Sequence, residues 1–245
     1  MKIISWNVNS IRARVENFLE VAKRENPDIF LLQETRVEDQ QFPSEYFDDL
    51  GYNAAVKGQK GRNGVAIFSK YPLEDISGDF SEEARYLEAF TGGIFVASIY
   101  VPNGQEVNAP QYFYKLDFLE NLQQKFTNLK GEIFVAGGDY NVAPYPQDIY
   151  IEGYDGITAS QREREAVKCF RDIGYQDPLE DNGYTWWSYR QCGFKKNNGF
   201  RIDQFYLSPR AQKLFTGGSV LRYARELNRP SDHAPIACEL TKITG

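Results

Sequence analysis

Short apolar runs of strand length, each closed by turn-forming residues, recur along the whole 245-residue chain: Lys2 to Trp6, Ile29 to Gln33, Gly64 to Ser69, Gly93 to Val101, Glu132 to Ala136, Arg201 to Leu207 and Pro235 to Leu240. Runs of this kind predict buried strands. Some are separated by segments with helical spacing. Val15, Phe18, Leu19 and Ala22 form one such stripe before Pro27, and Leu116, Leu119, Leu122 and Phe126 form another. A third helix is predicted from Ser160, with Glu163 in the capping-box position, through inward-facing Val167 and Phe170 to a stop at Gly174. Strands at hairpin-like spacing with few helices predict an α/β chain of largely antiparallel sheets packed together with helices outside, not a doubly wound parallel sheet. No linker or internal repeat divides residues 1–245, so a single domain is expected.

Composition narrows the class. Hydrophobic residues at 42% and aromatics at 15% are enough to bury a substantial core. The start at Met1 runs straight into a strand pattern with no targeting segment, and no apolar run approaches membrane-spanning length. A cytoplasmic protein that does not engage membranes is therefore expected. Cys169, Cys192 and Cys238 are odd in number and widely spaced, which suits neither a disulfide framework nor a cysteine zinc site. With 28 basic and 34 acidic residues the net charge is −6, which argues against indiscriminate nucleic-acid binding but leaves room for a local basic face.

The unusual polar residues cluster at strand ends. Asn7 and Asn9 follow the first run, Glu34 the second, Tyr100 closes the fourth, Asp139 and Asn141 follow the fifth, and Asp232 and His233 precede the last. If neighbouring strands alternate in direction, these positions meet along one edge of a rigid scaffold, where catalytic residues concentrate. On composition alone Glu34 reads first as a solvated carboxylate at a strand end, the alternative being a ligand for a hard cation, and the lone residue does not decide. In Gly137-Gly138-Asp139-Tyr140-Asn141 the alternatives are an Asx turn, or an Asp that deprotonates water beside an Asn amide that donates to a phosphate oxygen. His233 is the only histidine, so a two-histidine metal site is excluded and any imidazole chemistry falls to it. Asp203 is placed to fix its tautomer. The Tyr100 phenol, held by a Pro102-Asn103-Gly104 turn, is either a satisfied sheet residue or a phosphate donor.

Taken in order, Ser5-Trp6-Asn7-Val8-Asn9, Leu32-Gln33-Glu34-Thr35, Tyr100-Val101-Pro102-Asn103, Gly138-Asp139-Tyr140-Asn141, Trp186-Trp187-Ser188-Tyr189, Arg201-Ile202-Asp203 and Ser231-Asp232-His233-Ala234-Pro235 closely resemble the exonuclease III-type apurinic/apyrimidinic endonucleases, from Met1 to about residue 240. The resemblance implies a four-layered α/β sandwich related to deoxyribonuclease I and hydrolysis of double-stranded DNA with Mg²⁺ or Mn²⁺, by a monomer acting at abasic sites or blocked 3′ ends. It implies Glu34 as the principal metal ligand with Asn9 and Asp232 nearby, and Asp139 as the residue that positions or deprotonates water. Asn7, Tyr100, Asn141 and His233 would surround the scissile phosphate, with Asp203 orienting His233 and either Asp139 or His233 as the base.

For DNA contacts the resemblance implies Asn103, the basic loops with Lys60 and Arg62 and with Lys195 and Lys196, and a pocket for a flipped baseless sugar made by Trp186, Phe200 and Ile202. Trp187 and Tyr189 are assigned to packing. Three departures stand out: Asn9 replaces the Asp of animal members, the stretch from Pro144 to Ser160 is short, and the overall charge is acidic. The competing functions are a 3′-end processing enzyme without abasic incision, a phosphatase of lipid or inositol phosphates, which the aromatic block and basic loops oppose, and a catalytically silent DNA-binding relative, which joint retention of the site residues opposes.

Overall fold

The computed structural model describes residues 1–241. Its strands form two large sheets and a small ribbon. The first sheet joins β1 (Lys2–Asn7), β2 (Ile29–Gln33), β3 (Asn53–Lys57) and β4 (Val65–Ser69) to two strands from the end of the chain, β12 (Phe215–Val220) and β13 (Ile236–Leu240), in the order β12-β13-β1-β2-β4-β3. The second contains β5 (Glu74–Ser77), β6 (Tyr86–Thr91), β7 (Ile94–Tyr100), β8 (Phe134–Asp139) and β11 (Asp203–Leu207), in the order β11-β8-β7-β6-β5. The ribbon pairs β9 (Trp186–Trp187) with β10 (Gly199–Phe200). The longer helices are α1 (Val15–Glu25), α2 (Pro110–Leu129) and α3 (Gln161–Asp172); α4 (Gly193–Lys196) and α5 (Pro209–Gln212) are single turns.

Three apolar layers explain why so many strands read as continuous hydrophobic runs. Strand side chains alternate between faces, and here both faces are covered. Ile3, Leu31 and Ile67 face Val96, Val135 and Phe205 between the sheets. On the opposite face of the first sheet Ile4, Phe30 and Phe68 pack on Phe18 and Val21 of α1. Outside the second sheet, Ile99, Phe134 and Tyr206 meet Leu119, Leu122 and Phe126 of α2 and Phe170 of α3. Helix, sheet, sheet, helix is the expected four-layered sandwich. Each buried Phe or Leu contributes on the order of 1.5–3 kcal/mol.

Local signals set the helix ends. Asn26 takes the left-handed conformation that closes α1 (φ 43°). Ser160 caps α3, its hydroxyl accepting from the Glu163 amide while the Glu163 side chain reaches back to the Ser160 amide.

Two expectations need correction. The run expected at Glu132 to Ala136 is a strand that continues to Asp139, so the Gly137-Gly138 pair lies inside β8 instead of forming a turn. The glycines are there for close approach: a Cβ on Gly138 would collide with the Ile99 backbone carbonyl of β7, and one on Gly137 would meet Phe205 and Leu31. Strand directions also do not simply alternate. β1 and β2 are parallel, as are β7 and β8, because α1 and α2 each carry the chain back across the sheet between them.

Candidate active site

Those two parallel pairs deliver the polar residues to one edge. Asn7 ends β1 and Glu34 immediately follows β2, while Tyr100 and Asp139 are register partners at the ends of β7 and β8. β11 is antiparallel to β8 and starts at the same edge, pairing Asp203 with Asp139, and β13 is antiparallel to β1 with His233 just before it.

Asn7 is fully buried, and its amide nitrogen donates to Glu34 Oε1 and to Asp139 Oδ2, each at 2.9 Å. Both of its hydrogens are committed to that bridge. It therefore ties two carboxylates together in this structure, where the resemblance implied a phosphate donor. Its Oδ1 accepts from the Asn9 amide at 3.0 Å. Glu34 sits in the left-handed region (φ 51°), and its second carboxylate oxygen accepts from Arg36 Nε at 2.8 Å, a partner the sequence reading missed.

Asp139 Oδ1 accepts from the Asn141 amide at 2.9 Å, and Oδ2 lies 3.8 Å from His233 Nε2. Burial pushes the Asp139 carboxyl up, the charges of Asp203 and Glu34 add to this and His233 opposes it, leaving it at about 7. On the far side of the ring, His233 Nδ1 donates to Asp203 at 2.9 and 3.1 Å. Burial alone would lower the histidine, but Asp203 and Asp139 push it up to about 10. At neutral pH it is an imidazolium with Nε2–H directed toward Asp139.

Among the described residues, the carboxylate and imidazole groups that converge within 4.8 Å are Glu34, Asp139 and His233, a cluster positioned to hold one metal ion. The hard carboxylate oxygens of this cluster, those of Glu34 first, are the donors that suit a divalent cation. Crowded anionic charge there, visible in the raised Asp139, is what such a cation would offset. Asp232 lines the same cleft, with Asn9 beside it. Asn9 Nδ2 donates to Asp232 Oδ1 at 2.8 Å and Trp186 Nε1 donates to Asp232 Oδ2 at 3.0 Å. Burial would raise Asp232, but His233 and these two donors hold it below the usual carboxylate range. Each of its oxygens thus accepts from one neutral donor and keeps a further lone pair.

These groups face a cleft of about 340 Å³. Trp186 and Phe200, paired across the ribbon with ring centres 5.5 Å apart, form one wall with Ile202. The other wall holds Asn103 and Asn141, where Asn103 Nδ2 donates to Asn141 Oδ1 at 3.2 Å and Asn141 Nδ2 donates to the Val101 carbonyl at 3.0 Å. Each of these two amides retains a second hydrogen. Burial, with Glu34 and Asp139 close by, pushes the Tyr100 phenol well above its ordinary value, so it is a neutral donor. Arg85 lies over its ring at 4.8 Å.

Other expected residues lie elsewhere. Lys60, Arg62, Lys195 and Lys196 are exposed and line no part of the cleft; Arg62 approaches Glu83 at 3.7 Å, and the two lysines end α4. Trp187 is buried against Phe194, as assigned, whereas Tyr189 is 53% exposed and bonds through its hydroxyl to the Pro230 carbonyl. The short stretch from Pro144 to Ser160 supplies Tyr154, Ile157 and Thr158 to the cleft, which no motif had marked.

The endonuclease/exonuclease/phosphatase family matches residues 4–233. The chain is 33% identical to an exodeoxyribonuclease of Bacillus subtilis over 96% of this chain and 98% of that protein. An AP endonuclease from Archaeoglobus fulgidus superposes with a TM-score of 0.93 at 33% identity, covering 98% of this chain and 99% of the other. The 3′ phosphatase NExo from Neisseria, bound to a product DNA hairpin, superposes with a TM-score of 0.94 at 31% identity over 98% and 99%. The chain is a hydrolase belonging to the endonuclease/exonuclease/phosphatase family, in its exonuclease III/AP-endonuclease branch.

Proposed function

We propose that this chain is a DNA repair phosphodiesterase that incises double-stranded DNA 5′ to abasic sites and processes 3′ ends, with Mg²⁺ or Mn²⁺ as cofactor. The observation that carries the proposal is the Glu34–Asp139–His233 cluster at the floor of a cleft walled by Trp186, Phe200 and Ile202. One chain supplies the whole residue set, which supports a monomer. Among the described residues no helix is long and apolar enough to cross a membrane.

A divalent ion anchored on Glu34 would neutralise charge on the phosphate oxygens. The chain's own groups do the rest. Asp139, oriented by Asn7 and the Asn141 amide, takes the proton of the attacking water; a carboxyl near 7 suits that exchange. The His233 imidazolium, locked by Asp203, and the free amide hydrogens of Asn103 and Asn141 donate to non-bridging phosphate oxygens, as does the Tyr100 phenol. The aromatic wall receives the baseless sugar, while Lys60, Arg62, Lys195 and Lys196 contact the backbone outside the cleft.

One observation favours a second reading: the strong structural likeness to a 3′ phosphatase supports 3′-end processing without internal incision. Two labelled duplexes, one with a single internal abasic analogue and one with a 3′ phosphate, separate the two when each is incubated with Mg²⁺, Mn²⁺ or EDTA. Our reading predicts a nick 5′ to the analogue and loss of the phosphate, both abolished by EDTA. Removal of the phosphate with no internal nick would establish the second reading.

A further inference from the structure

Lys115 occupies a core-facing position on α2, in register with Tyr112, Leu119 and Leu122, and is completely buried. Its ammonium is saturated: it donates to the Asn141 carbonyl at 2.6 Å, to the Asn103 carbonyl at 3.3 Å and to Glu163 Oε1. Glu163, equally buried at the start of α3, is saturated as well. Its Oε1 also accepts from the Thr158 amide at 3.0 Å, and its Oε2 accepts from the Ser160 amide at 3.0 Å and the Ser160 hydroxyl at 2.7 Å.

Capping of α3 requires Ser160 and Glu163 but not a lysine, and a fully buried ion pair is seldom the most stable way to fill a core. What the pair does hold is backbone. Asn141 (φ 51°) and Thr158 (φ 83°) both stand in the left-handed region, and Gly104 (φ 87°), next to Asn103, is a glycine because a side chain there would meet Ile157 and the Lys115 stem. Three loop segments from two connections, one from β7–α2 and two from β8–α3, each contributing to the cleft, thus converge on one charged node.

We propose that the Lys115–Glu163 pair is a positioning device for the phosphate-facing amides of Asn103 and Asn141: by gripping their carbonyls from beneath the cleft, it sets the reach and orientation of both side chains relative to Asp139. The inference rests on the proposed phosphodiester cleavage at this site. Lys115 and Glu163 touch no substrate and act only through the loops they hold. A displacement of about 1 Å at reacting groups can cost roughly a hundredfold in rate, so the expected signature is a loss in kcat, not in binding.

The test compares wild type with Lys115→Met/Glu163→Leu, which removes both buried charges together, and with Glu163→Gln, which keeps the shape and, with its oxygen toward Ser160, the Ser160 contacts, but gives up the acceptor for Lys115 and the Thr158 amide. The probes are a 3′-phosphate duplex and an abasic-analogue duplex. Readouts are kcat and KM, thermal unfolding, and the side-chain amide resonances of Asn103 and Asn141 in ¹⁵N-asparagine-labelled protein. We expect the double variant to fold, to lose about 10- to 100-fold in kcat with KM changed less than about threefold, and to show shifted Asn103 and Asn141 resonances; Glu163→Gln should shift the same resonances by less and lose less kcat. Unchanged resonances in either folded variant, or full kcat in the double variant, would overturn the proposal. Were the double variant unable to fold, Glu163→Gln with wild-type kcat and unmoved resonances would overturn it equally. Wild-type protein inert on both duplexes would instead contradict the proposed function, while the resonances would still decide the positioning role.

Discussion

His233 and Asp139 face each other, and burial prevails in one and not the other: it raises Asp139, whereas its lowering of His233 is overcome by the neighbouring carboxylates. Asp203 and Asp139 keep the ring protonated up to about 10, and burial with neighbouring carboxylates keeps Asp139 protonated up to about 7. The active pair in the proposed reaction is carboxylate plus imidazolium, so the sign on each limb follows. The carboxylate grows as pH rises, giving a rate that climbs to a plateau with an acid limb at or below about 7, and lower still with a cation beside it. The imidazolium disappears as pH rises through about 10, giving the alkaline fall. His233→Ala should lower kcat by at least about two orders of magnitude and remove the alkaline limb; a single-turnover pH profile checks both, and an unchanged alkaline limb would detach His233 from it. At this scale the motifs marked Glu34, Asp139, Asp203 and His233 as site candidates, and the structure brings them together. The roles of their neighbours were not legible. Whether Asn7 faces phosphate or bridges two carboxylates depends on a distance of 2.9 Å across strands 132 residues apart, and Arg36 beside Glu34 reads in sequence as an ordinary surface charge.

Among the elements, β8 carries the tightest constraint. Gly138 lets its backbone run against Ile99 of β7, and the next residue is Asp139. Gly138→Ala should force these strands apart, costing about 3 kcal/mol, or a fall in Tm of roughly 6–12 °C at this chain length. Activity should fall further than unfolding explains, because Asp139 moves with the strand. Calorimetry beside a kinetic assay checks this, and a Tm within about 2 °C of wild type would contradict it. The run read from sequence stopped at Ala136 because Gly137-Gly138 lacks strand composition, and only the partner strand reveals why no side chain fits there. Strands of the central rows were legible from their apolar runs. β3, β5 and β12 were not, because edge positions leave them largely exposed and polar, with Gly217-Gly218 inside β12. β6 was obscured by Glu88, a carboxylate that is buried only because Tyr86 and Lys125 satisfy it. Lys115 carried a signal that could have been read: a lysine in the apolar stripe of a helix needs a buried partner.

In the whole molecule, two parallel strand pairs, each closed by a helical crossover, help bring residues from six distant segments of two sheets to one end of the sandwich. The sandwich class followed from counting strands and helices, but the convergence did not, because it depends on which neighbours run parallel. The acidic total charge is compatible with DNA cleavage because Lys60, Arg62, Lys195 and Lys196 offer exposed cations on loops outside the cleft. The central claim is that one cation-dependent site anchored on Glu34 cuts the phosphodiester. It is tested most directly by single-turnover cleavage of a duplex with one internal abasic analogue, using wild type and Glu34→Ala with Mg²⁺ and wild type with EDTA. The account predicts a single nick 5′ to the analogue by wild type with Mg²⁺, none in EDTA, and a rate at least about a hundredfold lower for folded Glu34→Ala. Cleavage that persists at the wild-type rate in both EDTA and Glu34→Ala would contradict it.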